Sequence, residues 1–589
     1  MKTLTIQLIT VIIIISINSC QNLDIEPINI LTSKQVFEDQ AAINAYMASL
    51  YDQAPWEDHN SSSYYSKISN KTDESIGTVE TQTQTILGDG NDEQWWGYSS
   101  VRNVNDFLEK LEESQLNEEF KLKLKGEALF IRAFYYFGMV KRYGGIPIID
   151  KVQRLTGDNL HELQVARDKE EDVYNFIAND LDEAAELLPV INGKGRATKY
   201  GSLALKSRVM LYAASSAKYG NVFLDGIVGI SSDKSDEYWN AALIAADAVI
   251  NSGVYNLYEK NTNKTENYQQ LFIDEDNPEA IITKYYTYPG KSHGYHNSNL
   301  PFGVRAPTGA GSGIGPTLEC VQQFEYIDGS PGKLKIGTPS DPVFYDNPMD
   351  LFDNFDPRMK ATIIVPFDEW RGTTIDVQAG LYDQGIKVEA GDFSTLYNPI
   401  THEKDQQNGT IRIVGRNGLG GSEKTQTGFY IKKYLDYNLS QAEAGQAAQQ
   451  WIFLRYGEVL LNYAEAAVEL GRFTDAKEKI NLIRSRAGIV LLNDSEITVD
   501  RVRHERLVEF AFERQRFWDY RRWHLSDDLF NNTWVHGIRP YFDIDKNAYR
   551  FETDRAGVYP KTFPTYLYLQ RIPESEIAKN PNLVQNPLY

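Results

Sequence analysis

Two stretches of the chain carry residue mixtures that could do chemistry. Between Trp56 and Tyr98 stand Trp56, Asp58, His59, Asn60, Asp73, Glu74, Trp95, Trp96 and Tyr98. Between Tyr285 and Arg305 the run YYTYPGKSHGYHNSNLPFGVR supplies Tyr286, Tyr288, Tyr295, two histidines, two asparagines and Arg305. Flat apolar ring faces cover the C–H faces of a sugar ring, and planar Asp, Asn, His and Arg groups take its hydroxyls. The candidate binding set is Trp56, Asp58, Asn60, Asp73, Trp95, Trp96, Tyr286, Tyr288, Tyr295 and Arg305. Tyr286 and Tyr288 alternate as in a strand, with one face for core and one for solvent. Trp370, in FDEWRG, is a further loop tryptophan that could contact a ligand.

Rival chemistries fail on spacing. Gly290-Lys291-Ser292 has the ending of a phosphate-binding loop, but the earlier glycine position is Tyr285. GAGSGIG, Gly309 to Gly315, lacks dinucleotide-loop spacing and follows no clear strand. His504-Glu505 is followed by Val508 where a zinc helix needs its second histidine. No metal set or cofactor motif is present. With 81 acidic residues a glycosidase carboxylate pair is not settled by counting, because space defines it. Phe517-Trp518-Asp519-Tyr520-Arg521-Arg522-Trp523 interleaves arginine with aromatics, as nucleic-acid surfaces do, yet the formal charge of −21 opposes phosphate binding. These arginines are expected to stack on tryptophan and pair with Glu509 or Glu513, knitting helices together.

Helices must position the candidate loops. Helical patterns run from about Ser33 to Tyr51, Asp92 to Glu113, Asn117 to Tyr143, Lys169 to Leu188, Thr198 to Tyr219 and Asp236 to Asn251. ALFIRAFYYFGMV is apolar on every side, as expected of a helix buried inside an array. From about Tyr255 to Ala448 helical periodicity fades, and short β-like pieces such as AIITKYYTY and TIRIV stand between turns. Helices return at Trp451: Phe453, Tyr456, Leu460, Tyr463, Ala464 and Ala467 fall at helical spacing. Thr474-Asp475 reads as an N-cap, Gly488 as a stop, and a third aromatic helix ends near Trp523. A tail rich in Tyr and Pro closes the chain. The fold class is mainly α, with tetratricopeptide-like helical pairs and an irregular α+β insertion. The regions are 1–19, 20–254, 255–448 and 449–589.

Twelve per cent aromatic residues, including 36 tyrosines, fit helix packing and a polar aromatic recognition surface alike. An apolar run after Lys2 ends at Ile17-Asn18-Ser19-Cys20, which reads as a lipoprotein signal peptide with Cys20 as the lipidated residue. That leaves Cys320 without a partner, on the start of a short helix, as a buried small hydrophobe.

Two motifs, KGEALFIRAFYYFGMVKRYGGIPII (Lys125 to Ile149) and RYGEVLLNYAEAAVE…INLIRSRAG…ERLVEFAFERQRFWDYRRW, are similar to the N- and C-terminal signatures of the SusD/RagB family. They stand in the family's order and span the mature chain. The resemblance implies four tetratricopeptide-like units and ligand contacts from the two stretches above. It also implies non-catalytic capture of an oligo- or polysaccharide for a SusC-like TonB-dependent transporter at the outer membrane. A tryptophan before YSSVRNVNDFL is usual there, so one of Trp95 and Trp96 is expected to pack and the other to face ligand. Two alternatives stay open: uptake of a peptide or glycopeptide, and a structural or adhesive surface lipoprotein whose aromatics pack.

Overall fold

Side chains that satisfy free backbone groups set most of the helix ends. The computed structural model describes residues 33–59, 68–77, 93–305, 311–418, 424–439 and 445–589; Cys20 and Asn60 lie outside them. Helix α1 (Gln40–Asp52) starts behind Asp39, whose carboxylate accepts from the Ala42 amide. α2 (Tyr98–Glu113) follows Gly97. α3 (Glu118–Tyr143) follows Asn117, which accepts from the amides of Glu119 and Phe120, and ends at Gly144 with φ 72°. α4 (Glu170–Leu187), α5 (Lys199–Tyr219, capped by Thr198) and α6 (Ser235–Asn251) complete the N-terminal array.

From Leu124 onward α3 has almost no wet face. It is sandwiched between α2 and α4, and its buried Arg132 makes a two-pronged ion pair to Asp180 at 2.7 and 2.8 Å. α4 packs on α5 and α5 on α6, the antiparallel pairing of tetratricopeptide-like arrays. Beyond the insertion, α9 (Tyr456–Glu469) and α10 (Phe473–Ala487) form another pair, and α9 also packs on α6. Two distant parts of the sequence thus share one core.

The insertion contains strand β1 (Ala280–Lys284), the short helices α7 (Tyr295–Asn299) and α8 (Leu318–Gln323), and small strands. Three of those strands, β2 (Phe344–Tyr345), β3 (Gly380–Asp383) and β4 (Ile386–Val388), join a five-stranded sheet. Its long pair is β6 (Asn531–Asp543) and β7 (Ala548–Thr562), and the order is β4-β3-β6-β7-β2. Only β3 and β6 run parallel. The tail that the sequence shows only as rich in Tyr and Pro thus contains a β-hairpin.

Three other expectations shift. Trp451–Arg455 is a fully buried strand, here β5, antiparallel to β1, so Phe453 belongs to the strand and the helix begins at Tyr456. The aromatic helix divides into α11 (Val499–Glu509) and α12 (Arg516–Arg522), because Phe512 and Arg514 adopt φ 63° and 64° between them. α10 is preceded by Arg472 rather than capped by Thr474, while Gly488 ends it in the left-handed conformation.

Candidate functional site

The second aromatic stretch folds around a buried cluster of rings. The His59 ring centroid lies 4.4 Å from His293, 4.6 Å from Tyr295, 4.9 Å from Tyr434 and 5.1 Å from Trp451. Tyr286 stands edge-on to His293 at 4.7 Å. The Tyr295 amide donates to His293 Nδ1 at 3.2 Å, which leaves Nε2–H to donate to the Gln449 carbonyl at 3.0 Å. The Asp436 amide donates to His296 Nε2 at 2.5 Å. Burial, with His293 nearby, holds His59 well below the usual histidine range and His296 down to about 3. His59 and His296 are thus neutral near pH 7 and serve as packing.

The segments that form this cluster also carry less buried groups, called the rim. Thr287 and Lys291 exchange two backbone hydrogen bonds of 2.7 Å, a tight turn that leaves Tyr288 60 % exposed. Beyond α7 the half-buried Phe302 has the Arg305 guanidinium 5.2 Å and the Lys424 ammonium 5.4 Å from its ring centre. Asn417 fixes that segment by donating to the Phe302 carbonyl. Tyr437, next to the Asp436 that docks on His296, is 43 % exposed and rests on Trp370 at 5.4 Å. The exposed Tyr288 and Tyr437 rings can stack on a sugar ring, and the Arg305 and Lys424 cations can hydrogen-bond hydroxyls.

The ten candidate residues divide sharply. Trp56 is buried: its Nε1 donates to the Tyr51 carbonyl at 2.6 Å, and its ring packs on Phe134 and Phe453. The cleft it lines holds about 20 Å³, too little for a sugar ring. Asp58 is buried against Lys284 at 2.5 Å. Asp73 accepts from Arg516 and from the Tyr520 hydroxyl, both at 3.2 Å. Tyr286 and Tyr295 are core members of the ring cluster, Tyr295 donating to the Lys433 carbonyl at 3.2 Å. Trp370 is likewise core. In the structure Trp56, Asp58, Tyr286, Tyr295 and Trp370 are thus buried and Asp73 is paired, Tyr286 packing through its ring. Tyr288 and Arg305 remain on the rim.

Trp95 and Trp96 part as well. A Cβ on Gly97 would lie 2.2 Å from the Trp95 ring, and Gly138 also faces it, so both glycines make room for a packed indole. That packing holds residues 93–97 out of helix and delays α2 to Tyr98. Trp96 stays half-buried against Tyr98 and Tyr143, each at 5.1 Å. Cys320 is fully buried on α8, and burial pushes its thiol up. Phe302 and Tyr437 were not singled out from the sequence. A lone aromatic in a turn-forming run, as in LDYNLS, was the available signal for Tyr437.

The aromatic–arginine segment is knitted inward, but Glu509 and Glu513 take their cations from outside it, and Arg522 uses other carboxylates. Glu509 accepts from Arg455 at 2.6 Å, Arg358 at 2.8 Å and Arg486, and Glu513 takes Arg455 at 2.8 Å and Lys433 at 2.9 Å. Arg522 pairs with Glu465 and Asp519, and Arg521 lies 3.6 Å over Phe517.

Residues 254–589 match the model of the SusD family, and residues 22–211 match a family described as starch-binding, associating with outer membrane. A SusD-like protein of Bacteroides ovatus is 23 % identical over 627 aligned positions, covering 100 % of this chain and 98 % of its own. The crystal structure of a SusD-like protein from Bacteroides fragilis superposes with TM-score 0.71 at 28 % identity, over 94 % of this chain and 98 % of that one. That of a SusD-like carbohydrate binding protein from the same species gives 0.69 at 22 %, over 93 % and 100 %.

Proposed function

The chain belongs to the SusD family, and from that premise we propose that it is a cell-surface lipoprotein that captures an oligo- or polysaccharide without cleaving it. Cys20 carries the lipid that holds it at the outer membrane, and a SusC-like TonB-dependent transporter receives the glycan. The observation that supports the reading is the set of exposed groups on the segments around the ring cluster: Tyr288 and Tyr437 are 60 % and 43 % exposed, and Arg305 lies over Phe302. Pre-positioned rings lose little conformational entropy on binding. Similarity to a SusD-like carbohydrate binding protein supports the same ligand class. The half-buried Trp96 is assigned a lesser contact.

Isothermal titration of the mature protein against a panel of neutral and acidic polysaccharides tests the proposal. Saturable binding that Tyr288→Ala weakens at unchanged melting temperature is expected. A folded protein that binds no member of the panel sinks it. Co-purification from outer membranes with a large TonB-dependent partner, lost in Cys20→Ala, tests anchor and delivery.

A further inference from the structure

A cavity of about 330 Å³ lies away from the rim, between α3, α4, α5, α12 and residues 565–588. That volume is at the lower end for small-molecule sites, which span roughly 300–1,000 Å³. Its walls are aromatic: Tyr174 from α4, Tyr212 from α5, Trp518 from α12, and Tyr566 and Tyr568 from the C-terminal segment. Phe223 and Leu588, 47 % and 74 % exposed, stand at its edge.

The hydrogen-bonding state of the lining decides what fits. The charged groups are already engaged. Lys141 is 2.9 Å from Glu57 and lies 4.1 Å over the Trp518 ring. Arg522 is paired with Glu465 and Asp519. Glu170 accepts from the Ser216 hydroxyl at 2.6 Å and the Gly229 amide at 2.7 Å, and Asp527 accepts from Tyr568. His524 is stacked on Tyr568 at 4.2 Å, and burial lowers its affinity for a proton. Tyr174 and Tyr212 differ. They are only 3 % and 8 % exposed, and neither hydroxyl has a hydrogen-bond partner among the described residues. Both side chains line the cavity, so their hydroxyls are open to it and free to bond an occupant.

We propose that this cavity is a second binding site, which takes a neutral hydroxylated ring of mono- or disaccharide size. The tyrosine and tryptophan faces cover its apolar side, and the Tyr174 and Tyr212 hydroxyls bond its hydroxyl groups. An ion is disfavoured because Lys141, Glu170, Arg522 and Asp527 already hold protein partners and Arg521 lies over the Phe517 and Phe563 rings. A polymer is disfavoured because a space of about 330 Å³ holds only about one or two rings. The site is independent of the rim, which reads a chain from outside.

Saturation-transfer NMR and titration of the full mature chain with glucose, galactose, mannose, fructose and maltose, and with glucuronate as charged control, test it. At least one neutral sugar is expected to saturate, with glucuronate weaker. Tyr174→Phe/Tyr212→Phe, which removes only the two hydroxyls, is expected to weaken that sugar at least tenfold. Asn221→Trp, at an exposed rim position of this cavity, is expected to block it even if the double variant folds poorly. Tyr288→Ala is expected to leave it unchanged while reducing polysaccharide binding. The proposal is overturned if no neutral sugar saturates, if the double variant and Asn221→Trp bind like the parent, or if Tyr288→Ala alone removes the signal.

Discussion

The segment Tyr456–Trp523 and the segment Tyr285–Arg305 use the same residue types to opposite ends. In the first, most aromatic rings and arginines are buried, and the carboxylates of Glu465, Glu505 and Glu509 pair with buried guanidinium groups. In the second, the rings nearest α7 sink into a cluster while Tyr288 and the Phe302–Arg305 pair stay at its edge. Composition alone does not separate scaffold from site. What separates them is whether each polar group finds its partner inside the protein.

The largest effect that probes this difference is expected from the scaffold side. Arg455 bonds Glu279, Glu509 and Glu513 at 2.6 to 2.8 Å with almost no exposure. Arg455→Ala strands buried carboxylates and is expected to cost about 3–5 kcal/mol in urea unfolding. A cost below about 1 kcal/mol would put this network on the same footing as the rim and break the comparison.

Acid is expected to act next, through both regions in sequence. Burial depresses His296 to about 3, so between an unfolded value near 6.5 and that point only the unfolded chain takes the proton. Its stability contribution is complete above pH 6.5 and drains away as pH falls toward 3. Burial alone would raise Glu465 and Glu505, but Arg522 on one and Arg358 with Arg484 on the other hold each down to about 2. Those contributions are present above about 4.5 and lost as pH falls toward 2. Melting temperature should therefore decline gently below pH 6.5 and steeply below 4.5. A curve flat down to pH 4 would contradict the buried neutral cluster, and His296→Gln should flatten only the upper part.

The same contrast explains what was legible in the sequence. Asn117, Gly144, Thr198 and Gly488 mark helix ends because caps are local chemistry. β5 was not legible: five consecutive buried residues have no period, and its partner β1 lies in a distant part of the chain. The β6–β7 hairpin was hidden by Pro540, which demotes a run to an edge, yet here it lies in an inner strand and its carbonyl accepts from Ala379 at 2.7 Å. Within the candidate site the stretches were legible and the individual side chains were not. Tyr286 and Tyr288 share a segment, and only the docking of His59 and Trp451 beneath it decides which ring is buried.

On the rim, Tyr288→Ala is expected to weaken polysaccharide binding about tenfold, or ~1.4 kcal/mol, with no change in melting temperature. Tyr286→Ala should do the reverse, lowering stability first because its ring belongs to the cluster. If the two variants behave alike, the division between rim and base does not hold.

The smallest effect, and the one that reads the ligand, belongs to Arg305. It and Lys424 flank Phe302, but both cations already lie against its ring. The chain as a whole carries a formal charge of −21, which repels acidic polymers at long range. Arg305 is therefore expected to act as a hydrogen-bond donor toward a neutral glycan. Arg305→Ala should weaken binding by about threefold, and the loss should persist at roughly 1 M salt, where the Debye length is ~3 Å. A loss that disappears at that salt concentration would mean that Arg305 reads charge, and that this rim is built for an acidic glycan instead.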